Sequence, residues 1–421
     1  MNTIVFVLRG CPVGWLGAYG NEWVATPNLD RVAAESVVFD RHVSDRPDPD
    51  AARAAWLGGA PALPVLSSLR AAGVKTVLVR ANHSDTDGPD WYYAAWGEVF
   101  DARPMEDDLS PLGTLTRELP GLLERLVSSG PFLLWIETDR LLPPWDVRQD
   151  VFEAYFDDEE ESAGVNPDDD DVEEIEEEAS IDATESAATR DEQVESAATP
   201  PDRSDSEVVT PWFDPPTGPI DANDPDALEW LHSTFAAVVT SLDAELGVLF
   251  GQFKSQGLDR SAAWLVTSDL GYPLGEHGQI GLHRPWLHEE LVHVPLMVRL
   301  PAAEDALRRV AGFTQPPDIA STILDLFGLK PADSPSLLDL ARGSAASSRG
   351  HAVTRLEVNG AAEGAFRTEE WTYLLPLRVP EGEERQPQLY ANPDDRWEVN
   401  DLRSRNVSRA DELEAELNAS E

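Results

Sequence analysis

The run Val266-Thr267-Ser268-Asp269-Leu270-Gly271, followed by Gly275-Glu276-His277-Gly278, limits the fold most tightly. A short, unbroken apolar stretch over 263–267 that stops at an acidic residue reads as a strand buried on both faces, the kind found inside parallel sheets. Open α/β sheets build their sites where such strands end, in the loops at their carboxyl edge. Residues 4–8, 75–80 and 132–136 repeat the pattern, and stretches with helical period lie between them at 28–36, 111–129 and 227–255. Alternating strands and helices predict a mostly parallel sheet flanked by helices on both faces. Residues 319–328 read as a further helix closed by Gly328. The pattern then changes, and 331–421 is expected to be a smaller α+β subdomain, with strands near 353–357 and 373–376 and an amphipathic helix at 408–417. The large α/β domain is accordingly assigned to 1–156 and 209–330.

Between its two halves the composition shifts. Residues 157–208 carry 22 Asp and Glu against Arg190 and Arg203, and the expectation is a disordered acidic insertion. Asp168–Asp171 within it lacks the glycine and the distal Glu of a Ca²⁺-binding helix-loop-helix. The whole chain has a formal charge of −46, which argues against nucleic-acid partners because phosphate would be repelled. No uninterrupted apolar stretch of about 18–20 residues suggests a membrane span. The first residues lack a basic segment and a cleavage signal, and Cys11 is the one cysteine, so a cytoplasmic location is the expectation.

Dispersed segments in order resemble the sulfatase family of the alkaline phosphatase superfamily. They are Trp15-Leu16-Gly17-Ala18-Tyr19-Gly20, Thr26-Pro27-Asn28-Leu29-Asp30-Arg31, Val239 to Leu246, the Asp269 strand with its loop, and Arg367 to Tyr373 with Leu389 to Leu402 near the end. The resemblance implies a sulfatase-like α/β fold with a small C-terminal subdomain. It also implies a site with a Cys or Ser nucleophile in Cys/Ser-x-Pro-x-Arg and a Ca²⁺ ion. That ion is held by two adjacent Asp after the first strand and by an Asp-Asn or Asp-His pair after the later one.

Most of those positions hold residues unable to do the chemistry. The first pair falls on Arg9 and Gly10, and the nucleophile on Pro49, within Pro49-Asp50-Ala51-Ala52-Arg53. Arg53 is retained. Asp269 is retained too, but its partner is Leu270, which has no ligand atom. The family's Pro-His-x-Pro loop maps near Leu142-Pro143-Pro144, and His283 or Arg284 falls where the family has a Lys. No metal cofactor is therefore expected. An arginine at the bottom of such a site needs a counter-charge, and Asp269 on a neighbouring strand is the expected partner of Arg9. A degenerate pocket of Arg9, Gly10, Pro49, Asp50, Arg53, Asp269 and Leu270 follows, with Arg9, Arg53, His283 and Arg284 as candidates to bind an anion such as sulfate or phosphate.

Other constellations carry less. Asp48 and Asp50 flank the lost nucleophile, but a carboxylate attacking a dianion without a metal works against charge repulsion. Cys11 reads as a small buried hydrophobe. His277, His283, His288 and His293 suggest a metal run, yet their spacings do not stack on one helix face. The reading is a catalytically inactive sulfatase homologue acting through an anion or a protein partner. The alternatives are an active sulfuric- or phosphoric-ester hydrolase with a rearranged site, and a structural partner of an active paralogue.

Overall fold

A computed structural model describes residues 1–82, 88–102, 110–156, 209–330, 334–344 and 349–420. The acidic segment expected at 157–208 lies outside the described residues. In chain order the first strands are β1 (Asn2–Leu8), β2 (Val37–His42), β3 (Lys75–Ala81), β4 (Glu98–Asp101) and β5 (Phe132–Thr138). Next come β6 (Gly218–Pro219), β7 (Ala262–Thr267), β8 (Gln279–Ile280), β9 (Leu296–Arg299) and β10 (Arg308–Thr314). Strands β6 and β8 make a two-stranded ribbon, and the rest form an eight-stranded sheet in the order β10-β2-β9-β7-β1-β5-β3-β4. Its pairings are parallel except those of β9, which runs against both β2 and β7.

The apolar runs became central strands because both of their faces are covered. Along β1, Ile4, Phe6 and Leu8 enter one core while Val5 and Val7 enter the other, as a period of two demands. The first core is roofed by helices Pro27–Ala34, Pro111–Val127 and Pro225–Ser255. The second lies under helices Pro49–Trp56, Pro64–Ala71 and Pro317–Leu326. Helix Pro225–Ser255 is long and apolar enough to cross a bilayer. Here Phe250 meets Phe6 edge-on at 5.2 Å between ring centroids, and Leu242, Leu246 and Leu249 are buried in the same core.

A second sheet consists of β11 (Ala352–Val358), β12 (Ala361–Arg367), β13 (Trp371–Arg378) and β14 (Gln388–Ala391), paired antiparallel in chain order. Helix Val407–Ala419 packs on it through Ala410, Leu413 and Leu417. The opposite side meets the main body through Val43, Leu270, Leu287 and Phe313. Asp243 fixes one of the segments singled out above. Its Oδ2 accepts the Asn28 N–H at 3.0 Å and its Oδ1 the Leu29 N–H at 2.7 Å. The carboxylate thereby caps helix Pro27–Ala34, leaving Thr-Pro-Asn-Leu-Asp a role in packing.

Candidate functional site

The carboxyl ends of β1, β5 and β7, adjacent in the sheet, converge with the start of helix Pro49–Trp56. Here the structure unites Arg9, Gly10, Arg53 and Asp269. Arg9 Nε donates to Asp269 Oδ2 at 3.0 Å, with the side chains 12% and 2% exposed. The Asp269 Oδ1 also accepts the N–H of Gly10 at 3.2 Å and of Leu270 at 2.9 Å, and the Ser268 Oγ lies 3.4 Å away. Ser268 in turn accepts the Cys11 N–H at 3.1 Å and donates to Leu270 O at 2.6 Å. The turn after β7 is thus tied to the turn after β1.

A second buried ion pair stands behind the first. Arg53 Nη2 donates to Glu137 Oε2 at 2.8 Å, and the other Glu137 oxygen accepts from the Tyr92 hydroxyl and from Trp135 Nε1 at 3.1 Å. Burial pulls the Arg9 guanidinium toward neutrality, but Asp269, and less strongly Glu137, raise its pKa above the ordinary value, with Arg53 opposing. Glu137 behaves as the mirror image. Burial favours its protonated form, and Arg53 more than offsets this, so the carboxyl stays below its usual range. Two cations and two carboxylates in one buried site cancel.

Glu137 was missed in the sequence. Its signal was the one used for Asp269: an apolar run, here 132–136, that ends on an acid. What hid it was the resemblance, which supplies no role for a carboxylate at that position.

Pro49 and Asp50 are placed by helix initiation. Asp48 caps helix Pro49–Trp56, its Oδ1 accepting Asp50 N–H at 3.1 Å and Ala51 N–H at 2.9 Å, and Pro49 occupies the first turn, where no N–H is needed. Asp50 is half-exposed and reaches Arg53 Nη1 at 3.2 Å. Gly10 has φ +73°, and a Cβ built on it would lie 2.4 Å from Leu142 Cδ2. Leu142, in the stretch near which the resemblance places the family's Pro-His-x-Pro loop, therefore fills the space that a ligand-bearing residue at position 10 would need. Cys11 is buried, and burial followed by the nearby Asp269 charge pushes its thiol pKa up, so it stays a protonated, inert side chain.

The four residues proposed from sequence as an anion site do not assemble. Arg9 and Arg53 are neutralised as described. His283 and Arg284 line a separate cleft of about 170 Å³ with Arg378, Glu383 and Arg385. There Arg284 stacks over Trp286 at 4.6 Å and lies 3.8 Å from Glu383. The register that set them beside Arg53 gave way because 281–286 packs against the C-terminal sheet, Asn359 Nδ2 donating to His283 O at 2.8 Å.

The other three histidines of that run take separate carboxylates. His277 pairs with Glu290 at 2.8 Å, His288 with Glu398 at 2.7 Å and His293 with Glu289 at 2.5 Å. Among the described residues no group of three or more His, Cys, Asp and Glu side chains is arranged to hold a metal ion. The Ca²⁺ implied by the resemblance does not fit this donor set either. Of the four ligand positions Asp269 alone has a carboxylate, its oxygens are already engaged, and a guanidinium lies against it.

A mostly parallel eight-stranded sheet between helical layers, joined to a small antiparallel sheet, is the sulfatase and alkaline-phosphatase-like fold. The sulfatase family profile matches residues 12–329, and the chain belongs to that family. An N-acetylglucosamine-6-O-sulfatase of Bacteroides thetaiotaomicron is 31% identical over 100 residues, a match spanning 24% of this chain and 18% of that protein. Among solved structures, one determined in complex with its substrate D-glucosamine-2-N,6-O-disulfate superposes with a TM-score of 0.70 at 14% identity, covering 100% of this chain and 97% of the other. The phosphonate monoester hydrolase of Agrobacterium radiobacter gives 0.68 at 16% identity, covering 100% and 95%.

Proposed function

We propose that this chain is a catalytically silent member of the sulfatase family, a cytoplasmic protein that works by binding rather than turnover and needs no metal. The observation that carries the reading is the Asp269 carboxylate, which is shared between the Arg9 guanidinium and two backbone N–H groups. Ester cleavage at this site needs a nucleophile and positive charge on the nonbridging oxygens. Pro49 has no nucleophilic atom. Arg9 and Arg53 carry positive charge, but their partners Asp269 and Glu137 cancel it.

The test combines elemental analysis of exhaustively dialysed full-length protein with turnover of p-nitrophenyl sulfate, phosphate and phenylphosphonate. The expected result is less than about 0.1 equivalent of Ca²⁺, Mg²⁺, Mn²⁺ or Zn²⁺ attributable to this site, the criterion being that Asp269→Asn leaves the metal content unchanged. Turnover should not exceed that of the buffer. One equivalent of metal lost on Asp269→Asn, together with hydrolysis of any of the three esters, would overturn the reading in favour of a rearranged hydrolase.

A further inference from the structure

A cavity of about 460 Å³ lies between the edge of the main sheet and the C-terminal sheet, lined by Arg41, His293, Arg367, Thr372 and Arg396 among others, and none of Arg9, Arg53 and Asp269 belongs to it. In a chain of charge −46 a hollow walled by three arginines is out of keeping with its surroundings. Arg367 is the most informative. Its side chain is only 3% exposed, and Nη2 donates to Leu287 O and to Glu398 Oε1, the latter at 3.1 Å. Its Nε and Nη1 groups are buried without an acceptor among the described residues. The His293 Nε2, on the same wall, is likewise buried and unpartnered. A buried cationic donor left without an acceptor is costly.

Two carboxylates share the cavity and are already engaged. Glu289 holds His293 at 2.5 Å, and Glu369 holds Arg41 at 3.3 Å. Arg396 is exposed at the mouth, its guanidinium over the Trp397 ring at 4.3 Å. Glu289 also feels the charges of Arg367 and Arg396, but the two buried N–H groups of Arg367 that lack an acceptor and the exposed guanidinium of Arg396 remain to meet a ligand. We infer that this cavity is a binding site for a small organic anion, held through its carboxylate or phosphate oxygens by Arg367 and Arg396. Guanidinium groups suit such oxygens because they present several N–H donors in a plane. The volume suits a metabolite better than a bare ion.

The experiment is isothermal titration of the full-length protein at pH 7 and fixed ionic strength, with inorganic phosphate and with succinate as probes and sodium chloride as control. Saturable binding of one or both probes with a Kd near or below about 1 mM is expected, phosphate alone indicating a phosphate headgroup and succinate alone a carboxylate. Arg396→Ala, an exposed change that leaves the core untouched, should weaken binding at least ten-fold, and Arg367→Met should abolish it. Lys75→Ala, which removes one exposed positive charge elsewhere, should leave it unchanged. No saturable heat with either probe, or equal affinity in Arg396→Ala and the parent, would overturn the assignment.

Discussion

Removal of the Asp269 carboxylate is the sharpest test of how this site is held. In Asp269→Ala the Arg9 guanidinium stays in place, 12% exposed, with its main counter-charge gone and Arg53 still repelling it. Breaking a buried pair from one side costs about 3–5 kcal/mol. The Gly10 and Leu270 N–H groups lose their acceptor as well, at about 1–3 kcal/mol each if no water replaces it. These costs overlap, so about 4 kcal/mol is the expected loss. That is a large fraction of the roughly 5–15 kcal/mol that holds a domain of ordinary stability.

Arg9→Met with Asp269→Leu removes both charges and should recover most of the loss, since replacing a buried pair by apolar side chains is often neutral or better. Guanidinium chloride unfolding at pH 7, with EDTA or with added Ca²⁺, reads all three proteins. A loss below about 0.5 kcal/mol for Asp269→Ala would refute the argument. So would a parent protein whose midpoint rises with Ca²⁺ and falls with EDTA, because the carboxylate would then be neutralised by an ion.

Two further outcomes follow from the same structure. His277 has its pKa lifted to about 9, burial working against it and the Glu290 bond outweighing burial. A base raised on folding contributes stability that is complete below its unfolded value of about 6.5 and is lost as pH climbs toward the folded value. His42, buried and held down to about 3, adds the opposite slope between about 3 and 6.5. Glu276, raised to about 7 by burial and the Glu290 charge, adds a decline between about pH 4.5 and 7 that opposes the His42 slope. The His277 contribution is therefore read above pH 7, where His277→Gln should flatten the alkaline limb by up to about 3 kcal/mol toward pH 9. An alkaline limb unchanged in that variant removes His277 from the account. Gly10→Asp places a side chain where Leu142 Cδ2 stands 2.4 Å from its Cβ, at φ +73°. A loss of about 2 kcal/mol or more is expected, with partial rescue by Leu142→Ala, and an unaffected thermal midpoint would show that the space is open.

Much of the main sheet was legible because its central strands are buried on both faces and so read as continuous apolar runs, as in 4–8, 132–136 and 263–267. The β10 end of the sheet, as far in as β9, was harder to read. In β10 the residues Arg308 and Arg309 are exposed and β9 spans only Leu296–Arg299, so neither carries a periodic signal. The short helix Pro49–Trp56 was legible only as a degenerate motif, although Asp48 and Pro49 are an ordinary cap and first turn. For the site, strand ends and charge were sufficient to bring Arg9 to Asp269, because a deep arginine admits few partners. They did not reach Glu137 or Tyr92, whose place depends on which strand lies beside β1, or the diversion of His283 and Arg284 to another cleft. Register across a long loop is decided by packing, which one sequence does not display.

If side chains stand in for the family's metal, as proposed above, these contacts give that substitution a physical logic. A divalent ion with carboxylate ligands lets strand ends carrying like charges approach one another. Here Arg9 after β1 and Asp269 after β7 have opposite charge, and the parallel pairing of those strands brings the two turns together. Glu137 at the end of β5, on the other side of β1, would reintroduce a buried negative charge, and Arg53 from the helix that starts at Pro49 neutralises it. Each strand end thus has its own fixed counter-charge. Such a site gains rigidity and gives up what a metal centre has, an open coordination position and a charge that a substrate can share. Under the reading proposed above, a ligand of this protein would be met away from this edge of the sheet, at a surface such as the cavity where Arg367 keeps two buried N–H groups without an acceptor and Arg396 is exposed.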